Sequence, residues 1–165
     1  MNNIVLIGMP GVGKSSAGVV LAKVMGYEFV DSDLVIQRIE KRLLKDIIAE
    51  DGNEAFLAIE NKINAELDVN NSVIATGGSV IYGKEAMEHL KEIGTVVYLR
   101  AGFDTIKSRL SNLEGRGAAM KNHQTLEDLY MERIPLYESY CDLIVDMDGI
   151  TIEETVKNIT KILKK

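Results

Sequence analysis

A glycine-rich segment near the start of the chain carries the residue types that binding of a polyphosphate requires. Residues 8–15 read Gly-Met-Pro-Gly-Val-Gly-Lys-Ser and match the pattern G-x-x-x-x-G-K-[ST]. Glycines let such a loop curl until its backbone N–H groups point inward at an anion. Lys14 can then reach the β- and γ-phosphates, and the Ser15 hydroxyl can ligate Mg²⁺. The segment therefore predicts a phosphate-binding loop for ATP with Mg²⁺.

Two carboxylates follow the second apolar run of the chain, Tyr27–Val30. Asp31 and Asp33 lie two residues apart, so both side chains can project into one crevice beyond the end of a strand. One can support Mg²⁺, and the other can orient or deprotonate an acceptor hydroxyl. The alternative for Asp31 is an N-cap at the start of a solvated helix. Because the phosphate loop follows another strand, we favour the functional interpretation.

Paired glycines follow the apolar run Ser72–Ala75. Gly77 and Gly78 would let a ligand approach the backbone closely, whereas the alternative is a tight turn between a strand and a helix. Because the carboxyl ends of parallel strands share one edge of a sheet, we expect these glycines beside the phosphate loop.

Three arginines are candidates for contacts with anions or a base. Arg109 lies on a predicted helix, where its guanidinium can stack on a base, and Arg133 can reach a substrate anion. For both, a surface ion pair is the alternative. Arg116 lies in an irregular stretch, residues 111–123, which predicts a mobile lid that brings an arginine onto phosphates.

The periodicity of apolar residues predicts the elements that hold these side chains. The predicted strands are Ile4–Ile7, Tyr27–Val30, Ser72–Ala75, Thr95–Leu99 and Leu143–Val145. The predicted helices are Ser15–Met25, Asp33–Arg42, Leu44–Asp51, Glu54–Leu67, Lys84–Ile93, Phe103–Leu113, Thr125–Cys141 and Thr151–Lys165. The predicted buried face of the first helix is formed by Val19, Leu21, Ala22 and Met25. Strands alternating with helices predict an α/β fold with a five-stranded parallel sheet between two helical layers. Residues 33–67 lack a strand and predict a helical insert over one edge of the site.

Composition limits the classes of partner. A chain of 165 residues fits one domain, 1–165, and the net charge of −6 with a pI near 5.0 disfavours nucleic-acid binding. No apolar run approaches the roughly 18 residues of a membrane span, and we expect no membrane partner. A single cysteine, Cys141, fits a reducing compartment, so we expect a cytoplasmic protein.

Taken together, these residues resemble the shikimate kinase family, from Ile4 to about Tyr137. The phosphate loop alone is shared by many nucleotide enzymes. The pattern G-Y-x-F-x-D-x-D at 26–33 and R-x-P-L-Y at 133–137 are much more specific. The resemblance implies a P-loop NTPase-type fold, a commonly monomeric protein, and transfer of the γ-phosphate of ATP to the 3-hydroxyl of shikimate in aromatic amino acid biosynthesis.

The resemblance also implies roles for individual residues. The implied nucleotide site consists of Gly11, Val12, Gly13, Lys14, Ser15, Ser16, Arg109 and Arg116. The implied Mg²⁺ ligands are Ser15 and Asp31. The implied acceptor site consists of Asp33, Gly77, Gly78 and Arg133, with Arg133 on the shikimate carboxylate and Asp33 activating the hydroxyl. The implied catalytic residues are Lys14, Asp33 and Arg116.

The chain departs from the family pattern on the acceptor side and in the lid. The family reads F-R-x-x-E where residues 56–60 read Phe-Leu-Ala-Ile-Glu, so Leu57 replaces an arginine that contacts the shikimate carboxylate. Ser79 replaces a third glycine, and the lid pattern R-P-L-L becomes Arg-Gly-Ala-Ala at 116–119. Either a nearby cation such as Arg38 or Arg42 compensates, or the acceptor is another small hydroxylated metabolite.

Two further alternatives stay open at this point. The chain can be a nucleotide-binding module that has lost phosphate transfer, or, with less support, a kinase of nucleoside monophosphates. The combination of Lys14, Asp33 and Arg116 argues against the first, and the paired aspartates argue against the second.

Overall fold

The computed structural model describes residues 2–111 and 124–165. The strands are β1 (Asn3–Ile7), β2 (Glu28–Asp31), β3 (Ser72–Ala75), β4 (Gly94–Arg100) and β5 (Leu143–Asp146). The helices are α1 (Lys14–Met25), α2 (Ser32–Glu40), α3 (Leu44–Asp51), α4 (Asn53–Ala65), α5 (Lys84–Ile93), α6 (Phe103–Ser111), α7 (Leu126–Tyr140) and α8 (Ile152–Leu163). A short 3₁₀ turn, Val80–Tyr82, follows the paired glycines and has no counterpart among the predicted elements.

The strands form one parallel sheet in the order β2-β3-β1-β4-β5, which confirms the predicted five-stranded α/β fold. Every residue of β1 is buried, and its neighbours on the two sides are β3 and β4. A parallel sheet covered on both faces requires such continuous apolar strands. The phosphate loop therefore leaves the centre of the sheet at its carboxyl edge, with the end of β3 beside it and that of β2 next along.

The buried face of α1 differs from the prediction at Val19, and Met25 is only partly buried. Leu21 and Ala22 are buried as predicted, but the Val19 residue is 52% exposed. Ala17 and Gly18 face the sheet instead, and a Cβ atom on Gly18 would lie only 2.8 Å from the Phe29 ring. Small residues at these positions let the helix approach the sheet closely. With Ala17 and Gly18 on the side that faces the sheet, Val19 lies on the side that faces solvent.

Helices α2, α3 and α4 form the predicted insert, which has an apolar cluster of its own. The buried members of this insert cluster are Ile36, Ile47, Phe56 and Ile63. Leu57 is partly buried against the same cluster. The cluster fixes the three helices relative to one another, so the insert can serve as a firm wall.

The predicted lid and the predicted role of Arg116 concern residues that the structure describes only in part or not at all. The predicted lid at 111–123 falls almost entirely outside the described residues, and Arg116 lies there too.

No helix in residues 2–111 and 124–165 is long and apolar enough to cross a membrane.

Candidate active site

A cavity of about 820 Å³ opens at the carboxyl edge of the sheet. Its walls come from the phosphate loop, the end of β2, the glycine turn after β3, the insert, and helices α6 and α7. The predicted site residues that line it are Gly11, Gly13, Lys14, Ser15, Ser16, Asp31, Asp33, Gly77, Gly78, Arg109 and Arg133. Val12, which is part of the phosphate loop, is fully buried. The structure thus brings together in one place residues that lie far apart in the sequence.

The phosphate loop is shaped by glycine backbone geometry. Gly13 immediately precedes α1 and has a φ of 108°. Residues that carry a Cβ atom rarely adopt such a positive φ. The next residue, Lys14, is 7% exposed, and its Nζ donates hydrogen bonds to the carbonyls of Gly8 (2.7 Å) and Met9 (2.8 Å). An ammonium group held inside the loop beside a helix N-terminus gives a strongly anion-attracting surface.

Arg109 lies against the phosphate loop. One of its guanidinium nitrogens donates to the Val12 carbonyl at 2.6 Å and, at 3.3 Å, to that of Gly11. These bonds join α6 to the loop and place the planar guanidinium at the border of the cavity. Stacking of Arg109 on a base stays a prediction.

Asp31 is the N-cap of α2, which was one of its two alternatives, and its side chain also contacts the phosphate loop. Its Oδ1 atom accepts hydrogen bonds from the backbone N–H groups of Asp33 (3.0 Å) and Leu34 (3.3 Å), which caps α2. Its Oδ2 atom accepts a hydrogen bond of 3.4 Å from the Ser15 hydroxyl. The cap orients the carboxylate, and the second oxygen is directed at the serine.

This pair of residues fits Mg²⁺. A hydroxyl and one carboxylate supply hard oxygen ligands, and Mg²⁺ usually takes one or two carboxylates together with substrate phosphates and water. Within the described ranges, no group of three or more His, Cys, Asp or Glu residues is placed to hold a metal ion. A cation at Ser15 and Asp31 would therefore depend on phosphate oxygens to complete its ligands.

A second carboxylate lies beside Asp33 at the acceptor end of the cavity. A Cβ atom on Gly77 would lie 2.7 Å from Oδ1 of Asp33 and 2.8 Å from Oε2 of Glu60. The two carboxylates therefore flank this glycine closely. Oε1 of Glu60 accepts a 2.7 Å hydrogen bond from the Ser79 hydroxyl, so the residue that replaces a family glycine has a defined partner.

Glu60 was not predicted as a site residue, although the sequence holds a signal for it. It is 1% exposed on α4, on the same helical face as Phe56 and Ile63. A carboxylate at a position of apolar spacing indicates a buried charge that needs local partners. Burial is the main cause that raises the pKa of Glu60 from its usual 4.5 to about 7. The Ser79 hydrogen bond and the charges of Arg133 and Lys14 lower this pKa, while the charge of Asp33 raises it.

The raised pKa predicts a stability that depends on pH. Because Glu60 binds its proton more tightly in the folded chain, the free energy of unfolding should fall as pH rises from about 4.5 to about 7. Glu60→Gln has no carboxyl group to titrate here, so this loss should be absent. The free energy of unfolding of the variant minus that of wild type should therefore rise by about 2–3 kcal/mol between pH 4.5 and pH 8. Urea unfolding of both proteins at several pH values tests this. A difference between them that stays constant with pH would contradict the burial argument.

Arg133 lines the same end of the cavity, next to Gly78. It is 1% exposed, and its guanidinium lies over the Tyr82 ring, 5.4 Å from the centroid. The Tyr137 hydroxyl donates a 2.6 Å hydrogen bond to the Gly78 carbonyl, while its ring stacks on Tyr98 at 5.0 Å. Tyr82 and Tyr137 were not predicted as site residues. They hold the arginine and the glycine turn in fixed positions.

The close packing around Gly77 gives a second prediction. In Gly77→Ala the methyl group would meet both carboxylates, which must then move away from the acceptor position. We expect a fall of about 100-fold in kcat/KM for the acceptor, because small displacements of reacting groups have effects of this size. KM for ATP should stay within about twofold. Steady-state kinetics in each substrate measures both values.

Gly102→Ala is the matched control for that variant. A Cβ atom there would also meet a carboxylate oxygen, that of Asp148 at 3.1 Å, but neither residue lines the cavity. An equal loss of kcat/KM in both variants would show that the effect is not specific to the acceptor end.

The two arginines that were one alternative for replacing the missing cation do not line the cavity. Arg42 forms ion pairs with Glu40 (3.2 Å), Glu50 (3.0 Å) and Asp51 (2.8 Å) at the junction of α2 and α3. These side-chain hydrogen bonds raise the pKa of Arg42. Arg38 lines a separate cavity beside β2. Neither side chain lines the active cavity, because the insert turns them toward its outer surfaces.

Comparisons with known proteins agree with this geometry. Residues 10–164 match the family model for shikimate kinase. A shikimate kinase of Thermodesulfovibrio yellowstonii is 37% identical over 164 residues, covering 98% of this chain and 94% of that protein.

Two solved structures are similar over nearly their full lengths. A shikimate kinase from Acinetobacter baumannii in complex with shikimate superposes with a TM-score of 0.91 at 29% identity, covering 99% of this chain and 93% of that one. Shikimate kinase from Aquifex aeolicus gives 0.82 at 28% identity, covering 98% and 96%. These similarities extend over nearly the whole chain, and the chain belongs to the shikimate kinase family.

Proposed function

We propose that this protein transfers the γ-phosphate of ATP to the 3-hydroxyl of shikimate. The observation that carries the proposal is the arrangement of one cavity. A phosphate loop with Lys14 forms one end, and Asp33, Glu60 and Arg133 surround the other. Such a cavity holds a phosphate donor and a small hydroxy acid face to face. Family membership supports both substrates.

The nucleotide half would act through position and charge. Backbone N–H groups of residues 11–16 and the N-terminus of α1 would hold the phosphates, with Lys14 reaching the transferred group. Ser15 and Asp31 would hold Mg²⁺, which neutralises charge on the phosphate oxygens. Arg109 would border the base, and Arg116 would complete the charge clamp from the lid.

The acceptor half would orient the hydroxyl and take up its proton. Asp33 would accept the proton from the 3-hydroxyl as that oxygen attacks the γ-phosphorus and the bond to the β-phosphate oxygen breaks. Arg133 would bind the substrate carboxylate through its planar guanidinium, which suits bidentate contact. Gly77 and Gly78 would leave room for the ring between these two groups.

Several broader features belong to the same proposal. We expect residues 1–165 to work as one kinase domain. The insert at 33–67 would lie over one edge of the site, and the lid at 111–123 would close over the substrates. We also propose a monomeric protein in the cytoplasm that acts on a small-molecule substrate and has no nucleic-acid or membrane partner. Light scattering on the purified protein measures the oligomeric state.

The proposal is tested by ADP release from purified protein with ATP and Mg²⁺. Turnover should be saturable in shikimate and should stop when Mg²⁺ is chelated. A panel of other hydroxy acids, polyols and nucleoside monophosphates distinguishes the alternatives. Turnover with one of these compounds but none with shikimate would assign a different acceptor, and ATP binding without any turnover would favour an inactive module.

A further inference from the structure

Four basic residues in the described part of the chain line the active cavity: Lys14, Lys45, Arg109 and Arg133. Two of them belong to the phosphate end. Lys14 donates to the carbonyls of Gly8 and Met9. Arg109 donates to the phosphate-loop carbonyls described above. Because Lys14 and Arg109 are hydrogen-bonded to the phosphate loop, Arg133 and Lys45 are the remaining candidates among these four for contact with an acceptor carboxylate.

Lys45 extends from the wall that the insert contributes. It is the second residue of α3, and Leu43, Leu44 and Lys45 together form this part of the cavity lining. Its side chain is exposed, and within residues 2–111 and 124–165 the structure gives it no ion pair or hydrogen bond. A lysine has four rotatable methylene groups, so its ammonium can turn toward a bound anion.

The backbone that carries Lys45 is well anchored. The Leu44 N–H donates a 3.1 Å hydrogen bond to the Gln37 side-chain oxygen, which joins α3 to α2. The Leu44 side chain also packs against the insert cluster. A flexible cation on a fixed backbone can contact a ligand without any rearrangement of the wall.

Electrostatics gives a reason for a further cation here. Asp33 and Glu60 place two carboxylates at the acceptor end, and both repel an anionic substrate whenever they are ionised. The positive charges of Arg133 and Lys14 act on Glu60, whereas the Leu57 side chain packs into the insert cluster and brings no charge. A further positive charge from the insert would offset this repulsion.

We propose that Lys45 binds the carboxylate of the acceptor from the insert, together with Arg133. This inference rests on the proposed function, because it assumes an acceptor that carries a carboxylate. Lys45 would act as a specificity residue that favours hydroxy acids over uncharged polyols. It would take no part in proton or phosphate transfer.

The test compares Lys45→Gln with Lys41→Gln. Lys41 is also an exposed lysine of the insert, but it does not line the cavity. We expect Lys45→Gln to raise KM for shikimate about tenfold, as loss of a charge-assisted hydrogen bond does. Its kcat and its KM for ATP should stay within about twofold, Lys41→Gln should match wild type, and Lys45→Arg should largely restore KM.

The methyl ester of shikimate separates a contact with the carboxylate from a structural effect. The ester has no negative charge, so its KM should be the same in wild type and Lys45→Gln. An equal rise in KM for acid and ester, or no difference between Lys45→Gln and Lys41→Gln with the acid, would overturn the inference. If the wild type does not use shikimate, both the proposed function and this inference are rejected. If the wild type uses shikimate and its KM is unchanged in Lys45→Gln, only the role of Lys45 is rejected.

Discussion

Replacing Asp33 by asparagine is expected to lower kcat about 1,000-fold while ATP still binds. The substitution keeps the size of the side chain but removes the group that would accept the hydroxyl proton, and general-base catalysis commonly contributes this much. Because Asp33 is assigned to the acceptor hydroxyl and not to the phosphates or Mg²⁺, the dissociation constant for ATP should change less than threefold. Coupled turnover assays and calorimetric titration with ATP measure the two effects.

The control for this variant is Asp46→Asn. Asp46 lies in the first turn of α3 as Asp33 lies in the first turn of α2, so both substitutions remove an acid that favours a helix N-terminus. Asp46 does not line the cavity. Near-normal turnover in Asp33→Asn, or an equal loss in both variants, would contradict the role assigned to Asp33.

Replacing Lys14 by methionine should lower kcat by about 100- to 1,000-fold and also weaken ATP binding. Its ammonium is held almost entirely inside the phosphate loop, where removal of a preorganised positive donor has effects of this size. Methionine preserves most of the apolar length of the side chain, so the fold should persist. Steady-state kinetics together with ATP titration checks the prediction.

Lys23→Met provides the comparison on the same helix. Lys23 is exposed in the last turn of α1, at the end remote from the phosphate loop. Its loss should leave kcat within about twofold of wild type. If Lys14→Met retained more than about a tenth of the wild-type kcat, the loop lysine would not be a main source of charge stabilisation.

The sequence predicted the sheet well because its signals are local. The three central strands, β1, β3 and β4, contain buried apolar runs, which a parallel sheet covered on both faces requires. The phosphate loop was recognised because glycine, lysine and serine each have one chemical reason to stand at that spacing. The exposure of Val19 was missed, since only the packed structure shows that Ala17 and Gly18 determine how closely α1 approaches the sheet.

The acceptor end was less predictable because it depends on contacts between distant segments. Glu60 and Ser79 are nineteen residues apart and meet only after α4 packs beside the glycine turn. Compensation by Arg38 or Arg42 was one of two alternatives, and neither residue lines the cavity, because a position within the insert does not tell which surface a side chain faces. Lys45 gave no sequence signal apart from its charge, and only the cavity distinguishes it from other lysines.

The most direct test of the account is to follow the phosphate itself. Purified protein is incubated with ATP labelled in the γ-phosphate, Mg²⁺ and shikimate, and the products are separated and analysed by ³¹P NMR. We predict one shikimate 3-phosphate for every ADP formed, with no label transferred when shikimate is omitted. Label released only as inorganic phosphate, or none recovered on shikimate while ATP is bound, would contradict phosphate transfer to this acceptor.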